Sequence, residues 1–526
     1  MPAHRIRARE ALGTAPGAAW RDDRDVLSAF LEDAAHFPGG HARAIAAPTN
    51  EREVADVLRA APRVLPIGAQ SSLTGGATPM GDVLLSTVKL NRILAIADDT
   101  VRVEAGVTLA DLDATLTRAG KYYPPVPTFA GAFVGGIVST NAAGAATFRY
   151  GTTRDWVQAL TVVLADGSVL DIERGVTRAH PDGYFEIENG RGIVRVPVPR
   201  YHMPRVAKLS AGYFAAPGMD LIDLFVGSEG TLGVIVAVTL RIVPVRPAQC
   251  LAFVPVPTRD AALDLVATLR QNASVAAIEH MDARCLALLR EDGVDRQFGV
   301  TIPDRTSIAL LVTLELPAET TSERAFDDIG RFRDADTPLG RFCGVLDRAG
   351  VLEHVEIAVP GDHARAAQLL AVREAVPAAV NARVGRAKAS IDPRIAKTAA
   401  DMIVPFDRLG SLMRLYDDEF ARRGLDAAVW GHISDGNLHP NVIPRSIDDV
   451  ESGKEAIMVF GREVIRLGGS PLAEHGVGRN PVKQALLRDL YGDDGIADMR
   501  AVKESLDPEY KLAAGVIFEE CARRSS

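Results

Sequence analysis

Two short segments carry residues whose types and spacing suit chemistry. In VWGHISDGNLHPNVI, Val429 to Ile443, two histidines flank an Asp-Gly pair. A two-residue turn at Asp435-Gly436 pairs Ser434 with Asn437, Ile433 with Leu438 and His432 with His439. Directly opposed residues of a hairpin share a face with Cβ atoms about 4.5–5.5 Å apart, so the two imidazoles converge. Pro440 then faces Gly431 at a pair that exchanges no hydrogen bonds, where its missing N–H costs nothing. In LAEHGVGRNPVKQALLRDLYG, Leu472 to Gly492, Asn480 is a helix N-cap and Pro481 the first helical residue. Glu474 and His475 lie in the approach to that helix, where Gly476 and Gly478 let the chain turn and aim both side chains at one site. Two imidazoles and a carboxylate suit zinc or manganese with positions left for a substrate. The same residues also fit a hydrogen-bonded or exposed histidine pair beside a surface carboxylate.

Three Gly-rich elements accompany these segments. PIGAQSSLTGG, Pro66 to Gly76, follows an apolar run, as a phosphate-cradling loop does, because glycines let backbone N–H groups turn inward. It lacks the Gly-Lys-Ser/Thr of a Walker loop, and GDVLLST reads as a strand where a Rossmann fingerprint needs a helix. PPVPTFAGAFVGGIVSTNAAGAATFRYGTTRDW, Pro124 to Trp156, is dense in small residues that let backbone lie against a flat ligand or against another strand. GSEGTLGVI, Gly227 to Ile235, again joins a Gly-rich turn to a strand.

The elements around them indicate several packed units, because 526 residues exceed what one core accommodates. Residues 1–40 read as a helical lead-in. Thr49 or Asn50 caps a helix with apolar Val54, Val57 and Leu58, and β-rich runs then dominate to about 247, with Asp166-Gly167 marking a hairpin. From 248 to 460 strands alternate with helices, as in an antiparallel sheet with helices on one face; a helical run from Asp362 to Arg383 contains Pro377, which predicts a kink. Residues 461–526 form a C-terminal segment. With 59 basic against 68 acidic residues and no long Lys/Arg run, nucleic acid is excluded as a partner. No apolar stretch reaches the ~20 residues of a membrane span and no secretory signal is evident, which predicts a cytoplasmic protein. Cys250, Cys285, Cys343 and Cys521 are too scattered for a disulfide framework or an iron–sulfur cluster.

In this order the three Gly-rich elements and the two histidine segments resemble the vanillyl-alcohol oxidase type of FAD enzyme, in the branch with D-lactate, glycolate and D-2-hydroxyglutarate dehydrogenases. The resemblance extends over roughly residues 40 to 520. It implies an α+β fold: a PCMH-type FAD domain of two subdomains over 41–247, an antiparallel-sheet cap over 248–460 carrying the metal hairpin, and a C-terminal helical segment returning to the flavin. Pro66, Gly68, Ala69, Gln70, Ser71, Ser72 and Leu73 are then expected around the FAD pyrophosphate. Thr128, Gly135, Gly136, Ser139, Asn141, Ala142 and Gly144 are expected along the flavin, with Glu229, Gly233 and Ile235 nearer the adenosine. Relatives that tether flavin covalently place His or Cys in these loops; Gln70 and Ser71 stand here instead, so the FAD is expected to be non-covalent.

The resemblance assigns His432, His439 and Glu474 to a divalent metal, zinc before manganese, and His475 to the general base. It places Asn437 near the substrate, Arg373 on its carboxylate and Lys397, ahead of DMIVP, as a further substrate contact. The activity implied is oxidation of a D-2-hydroxy acid, lactate- or 2-hydroxyglutarate-like, to the 2-oxo acid by hydride transfer to flavin N5. Electrons would pass to a quinone, cytochrome or electron-transfer flavoprotein, and the protein is expected to form a homodimer. The alternatives are a flavin oxidase that uses oxygen on another alcohol, and a flavin-binding electron-transfer subunit. Ala513-Ala514-Gly515 stands where the family often has Asn-Pro-Gly beside the flavin.

Overall fold

A computed structural model describes residues 2–13, 19–125, 129–190 and 192–519. The first subdomain holds strands β1 (His41–Ala46), β2 (Val64–Ile67) and β3 (Met80–Ser86), with β3 in the middle and parallel to both. Between β1 and β2, helix α1 (Glu51–Ala60) makes the crossover that parallel pairing demands. Asn50 is its N-cap, accepting from Glu53 N, and Val54, Ala55, Val57 and Leu58 are its buried stripe.

The second subdomain is an antiparallel sheet of β4 (Ile93–Ile96), β5 (Thr100–Glu104), β6 (Val157–Val163), β7 (Val169–Glu173) and β8 (Val234–Arg241), in the order β7-β6-β8-β5-β4. The β6–β7 turn contains Asp166-Gly167 as expected, with Gly167 at φ +80°. The short helix α2 (Val134–Ser139) follows β5 and packs on it and on β8.

The cap is built on an antiparallel sheet whose long strands are β9 (Ala248–Val256), β10 (Val275–Met281), β11 (Ile308–Leu316), β12 (Ala427–His432) and β13 (Asn437–Val442). Helices cover both faces, not one. Cys250, Ala252 and Val254 enter one core with Leu265, Phe342 and Tyr416, while Leu251 and Phe253 enter another with Leu286 and with Val372 and Val376 of α3 (His363–Ser390). The continuous apolar runs of β9 and β11 are the reason: a strand buried on both faces does not alternate.

The N-terminal lead-in also differs from expectation. Arg5–Arg7 form a strand parallel to Tyr184–Asn189, and the described helix nearby is only Arg24–Ser28. The apolar-polar alternation of RIRAR favours a half-buried strand over a helix. At the other end, α4 (Pro481–Leu506) leads into a return to the first subdomain, where Val64 N donates to Lys511 O and Ala513 N to Val64 O. Among the described residues no helix is long and apolar enough to cross a membrane, and Cys250, Cys285 and Cys343 are buried and unpaired; Cys521 lies outside the described residues.

Candidate active site

The two histidines converge, though in a different register from the one expected. His432 pairs with Asn437, Trp430 with His439 and Val429 with Pro440, so the loop is Ile433–Gly436 and not Asp435-Gly436 alone. Ile433–Asp435 form a 3-10 turn, closed by Gly436 at φ +83°, where a Cβ would lie 2.2 Å from Val404 O. The shift is by two residues, and because strand faces repeat every two, both histidines stay on one face as diagonal neighbours. Their ring centroids are 5.5 Å apart and nearly perpendicular.

Glu474 arrives from the turn before α4. Its Oε1 lies 3.3 Å from His432 Nε2 and 3.3 Å from His439 Nε2. His475 Nε2 lies 3.5 Å from the same oxygen, and its ring stacks on His439. Asp401, buried, organises this approach: Oδ2 accepts from the backbone N–H of Glu474 and His475, both at 2.8 Å, and lies 3.2 Å from His475 Nδ1. Its Oδ1 accepts from Asn437 Nδ2 at 3.0 Å. On the other side, the cross-strand neighbour of His432 on β10 is Glu279, which contacts His432 Nδ1 through Oε1 and accepts from Arg373 Nε at 2.7 Å through Oε2.

The flavin segments are arranged differently. The loop after β2 exposes backbone: the N–H groups of Ala69, Gln70, Ser71, Ser72 and Leu73 donate to no described residue. Gln70 sits at φ +51°, and its amide donates to Phe30 O and Ala77 O, which pins the loop shape. Pro66 is the penultimate residue of β2, just ahead of the loop. In α2, nothing lies within 4 Å of where a Gly136 side chain would be, so that glycine borders open space.

Comparison with known proteins places these features in a family. Residues 42–173 match the FAD binding domain model, and residues 245–517 match the model of the C-terminal domain of FAD linked oxidases. The chain belongs to the FAD-linked oxidases. A D-2-hydroxyglutarate dehydrogenase of Xanthomonas citri pv. viticola is 28% identical over 488 residues, 90% of this chain and 89% of that one. A D-lactate dehydrogenase of Anaerostipes hadrus is 28% identical over 89% of this chain and 88% of its own. A glycolate oxidase subunit of Bacillus subtilis is 26% identical over 91% and 90%. Among solved structures an alkyldihydroxyacetonephosphate synthase aligns with TM-score 0.61 at 15% identity, covering 94% of this chain and 81% of that one, a likeness of fold.

In this FAD-linked oxidase the loop after β2 fits a dinucleotide: five consecutive N–H groups that donate to no described residue are left available to an anion such as a pyrophosphate. Not every residue expected at the cofactor has a free role. A Cβ on Gly135 would meet Ala105 Cβ at 2.6 Å, and one on Gly233 would meet Val162 Cγ1 at 2.5 Å, so both are required by packing. Ile235 is buried in β8 opposite Val162. Ser139 Oγ returns to Gly135 O, Asn141 donates to Leu209 O, Ala142 O accepts from Thr153, and Gly144 N donates to Thr147. Glu229, at φ +51°, accepts from Val477 N and Gly478 N, both at 2.8 Å, tying the FAD domain to the turn that bears Glu474. Burial raises its pKa to about 7 against those two hydrogen bonds. Thr128 lies outside the described residues.

The donor set also fits a divalent ion. Ligand atoms about 2.1 Å from a tetrahedral ion lie about 3.4 Å apart, close to the 3.3 Å separations at Glu474 Oε1. Asp401, His439 and His475 form a second possible group, but the oxygens of Asp401 already accept three N–H bonds. Burial alone would lower the pKa of His432, yet Glu279 and Glu474 raise it to about 9. Burial wins at His475, lowering its pKa to about 4 against Asp401 and Glu474. Burial pushes Glu474 up, but Lys208 and His432 pull it well below the usual carboxylate range.

Of the expected substrate contacts, Arg373 reaches the cluster through Glu279. Asn437 is also brought there, but its amide is held by Asp401, Met402 O and Lys208. Lys397 is exposed and makes no hydrogen bond or ion pair with a described residue, and desolvation lowers its pKa; no contact joins it to the cluster among the described residues. Sequence reasoning missed Glu279, Asp401 and Lys208. Glu279 was detectable as a lone carboxylate within the apolar strand VAAIEHM, since such a charge is buried only with partners.

Proposed function

We propose that this chain is an FAD-dependent, metal-assisted dehydrogenase that converts a D-2-hydroxy acid of the lactate or 2-hydroxyglutarate kind to its 2-oxo acid. One observation carries the reading: the oxygen of Glu474 that faces both imidazoles of the hairpin also lies 3.5 Å from His475 Nε2, so ligand set and base address one point. The D-2-hydroxy-acid class is supported by the names of the Xanthomonas and Anaerostipes relatives. Bound FAD would supply the hydride acceptor, and a divalent ion on His432, His439 and Glu474 would lower the pKa of the substrate hydroxyl. Two imidazole donors favour zinc over manganese.

The chain's own residues do the rest. His475 is neutral because burial holds its pKa at about 4, so it accepts the hydroxyl proton at Nε2. Asp401 at Nδ1 fixes the ring orientation that exposes Nε2. Glu279 holds Arg373 by Nε alone, leaving both Nη groups as a fork for the substrate carboxylate. Lys397, exposed and without an ion pair to a described residue, would be a second cation for the substrate. Electrons then leave to a quinone, cytochrome or electron-transfer flavoprotein. The test is an anaerobic screen of D- and L-2-hydroxy acids followed by flavin absorbance, with and without chelator. A D-isomer is expected to bleach the flavin and the chelator to slow it; a colourless protein, or bleaching indifferent to chelation, overturns the reading.

A further inference from the structure

Lys208 belongs to the FAD domain, yet its ammonium ends inside the cap. It is completely buried, at 0% side-chain exposure. Its Nζ lies 3.1 Å from Glu474 Oε2, 3.2 Å from Asp435 Oδ2 and 3.4 Å from Asn437 Oδ1. The two residues after it contact the segment expected along the flavin. Leu209 O accepts from Asn141 Nδ2 at 3.3 Å, and Ser210 Oγ donates to Thr140 O at 3.0 Å. Ser210 N donates to Leu472 O at 3.3 Å, two residues before Glu474. The segment 208–210 is thus attached along one edge to the chain that follows α2 and along the other to the chain that carries the carboxylate and the base.

The division of labour at Glu474 is specific. Oε1 faces the two imidazoles, and Oε2 faces Lys208. A free carboxylate beside a divalent ion can offer both oxygens; one whose second oxygen is held by an ammonium offers one. We infer that Lys208 is a positioning residue that restricts Glu474 to single-oxygen ligation and so keeps a coordination position open for the substrate, while fixing the ligand set relative to the flavin segment. Without Lys208, Glu474 Oε2 and Asp435 Oδ2 would be buried carboxylate oxygens facing no ammonium, a costly arrangement. The domain that holds FAD therefore supplies the charge that lets the other half of the site form. This inference rests on the metal reading proposed above.

The test uses the full-length holoenzyme, stripped of divalent ions and titrated with Co(II), whose visible absorption weakens as coordination number rises. Wild type is expected to bind Co(II) with intense low-coordination bands, and K208M with weaker bands and flavin reduction about 10- to 100-fold slower, as for loss of a residue that orients a ligand. K208R, which keeps a cation at Oε2, is expected to recover the wild-type spectrum and part of the rate. Should K208M fail to fold, the charge-conserving pair K208M/D435N is read in the same way. A K208M spectrum superimposable on wild type, with unchanged reduction, overturns the inference while leaving the metal reading intact. A wild type that takes up no Co(II) removes both.

Discussion

The two halves of the proposed site are built from opposite kinds of group. The loop after β2 offers backbone: five free N–H groups, a left-handed Gln70 whose side chain only braces the loop, and side chains at Ser71 and Leu73 that point to solvent. The cluster around Glu474 offers side chains, drawn from β10, β12, β13, the segment before α4 and the loop that holds Lys208, joined by hydrogen bonds and ion pairs, while the buried His439 Nδ1 and Asp435 Oδ1 make no hydrogen bond with a described residue. A backbone array depends on chain geometry and tolerates side-chain change. A side-chain cluster fails when any one member is altered, because the others are left buried without partners.

That contrast can be broken at several points. The largest effect is expected at His475: H475A should slow flavin reduction by about 10²- to 10⁴-fold while FAD content stays unchanged, measured by stopped-flow absorbance and flavin quantitation. Loss of flavin along with rate would show that the two halves are not separable. Next is Glu229, the joint between them. In the folded chain it keeps its proton up to about pH 7, whereas unfolded it ionises near 4.5. Between those values the folded state binds more protons, so stability is full below pH 4.5 and falls as pH rises through 7. Relative to E229Q, wild type should lose up to about 3 kcal/mol over that window in denaturant melts; parallel pH profiles would remove the joint.

A smaller effect is expected at Glu279. E279Q should weaken divalent-ion affinity by about 10- to 100-fold by calorimetry, through His432 and not through direct ligation; unchanged affinity would leave Glu279 a partner of Arg373 alone. The smallest concerns adjacent glycines. G136A meets open space inside a helix and should stabilise the FAD-free protein by up to about 1 kcal/mol while weakening FAD binding, whereas G135A collides with Ala105 and should destabilise it. Thermal melts with and without FAD distinguish them, and equal behaviour would mean the flavin does not lie along α2.

What the sequence disclosed follows the same division. Glycine marks backbone geometry directly, so the segments expected around the flavin stood out by their glycines, and the shared face of His432 and His439 survived a wrong register because a shift of two preserves strand parity. Glu279, Asp401 and Lys208 were not visible as a group, since they come from segments that meet only after folding. The helical lead-in failed because residues 5–9 alternate apolar and polar as a half-buried strand does, and pairing with residues 186–188 completes that strand. Helices on both faces of the cap were foreshadowed by the unbroken apolar runs of β9 and β11.

Residues 511–513 hydrogen-bond to Val64, at the base of the loop that presents its N–H groups, and Ile517 N donates to Gly478 O. During synthesis, therefore, the strand leading to that loop lacks its final neighbour until some 450 further residues have emerged from the ribosome. The pairing of that strand is therefore completed late in the folding of this polypeptide.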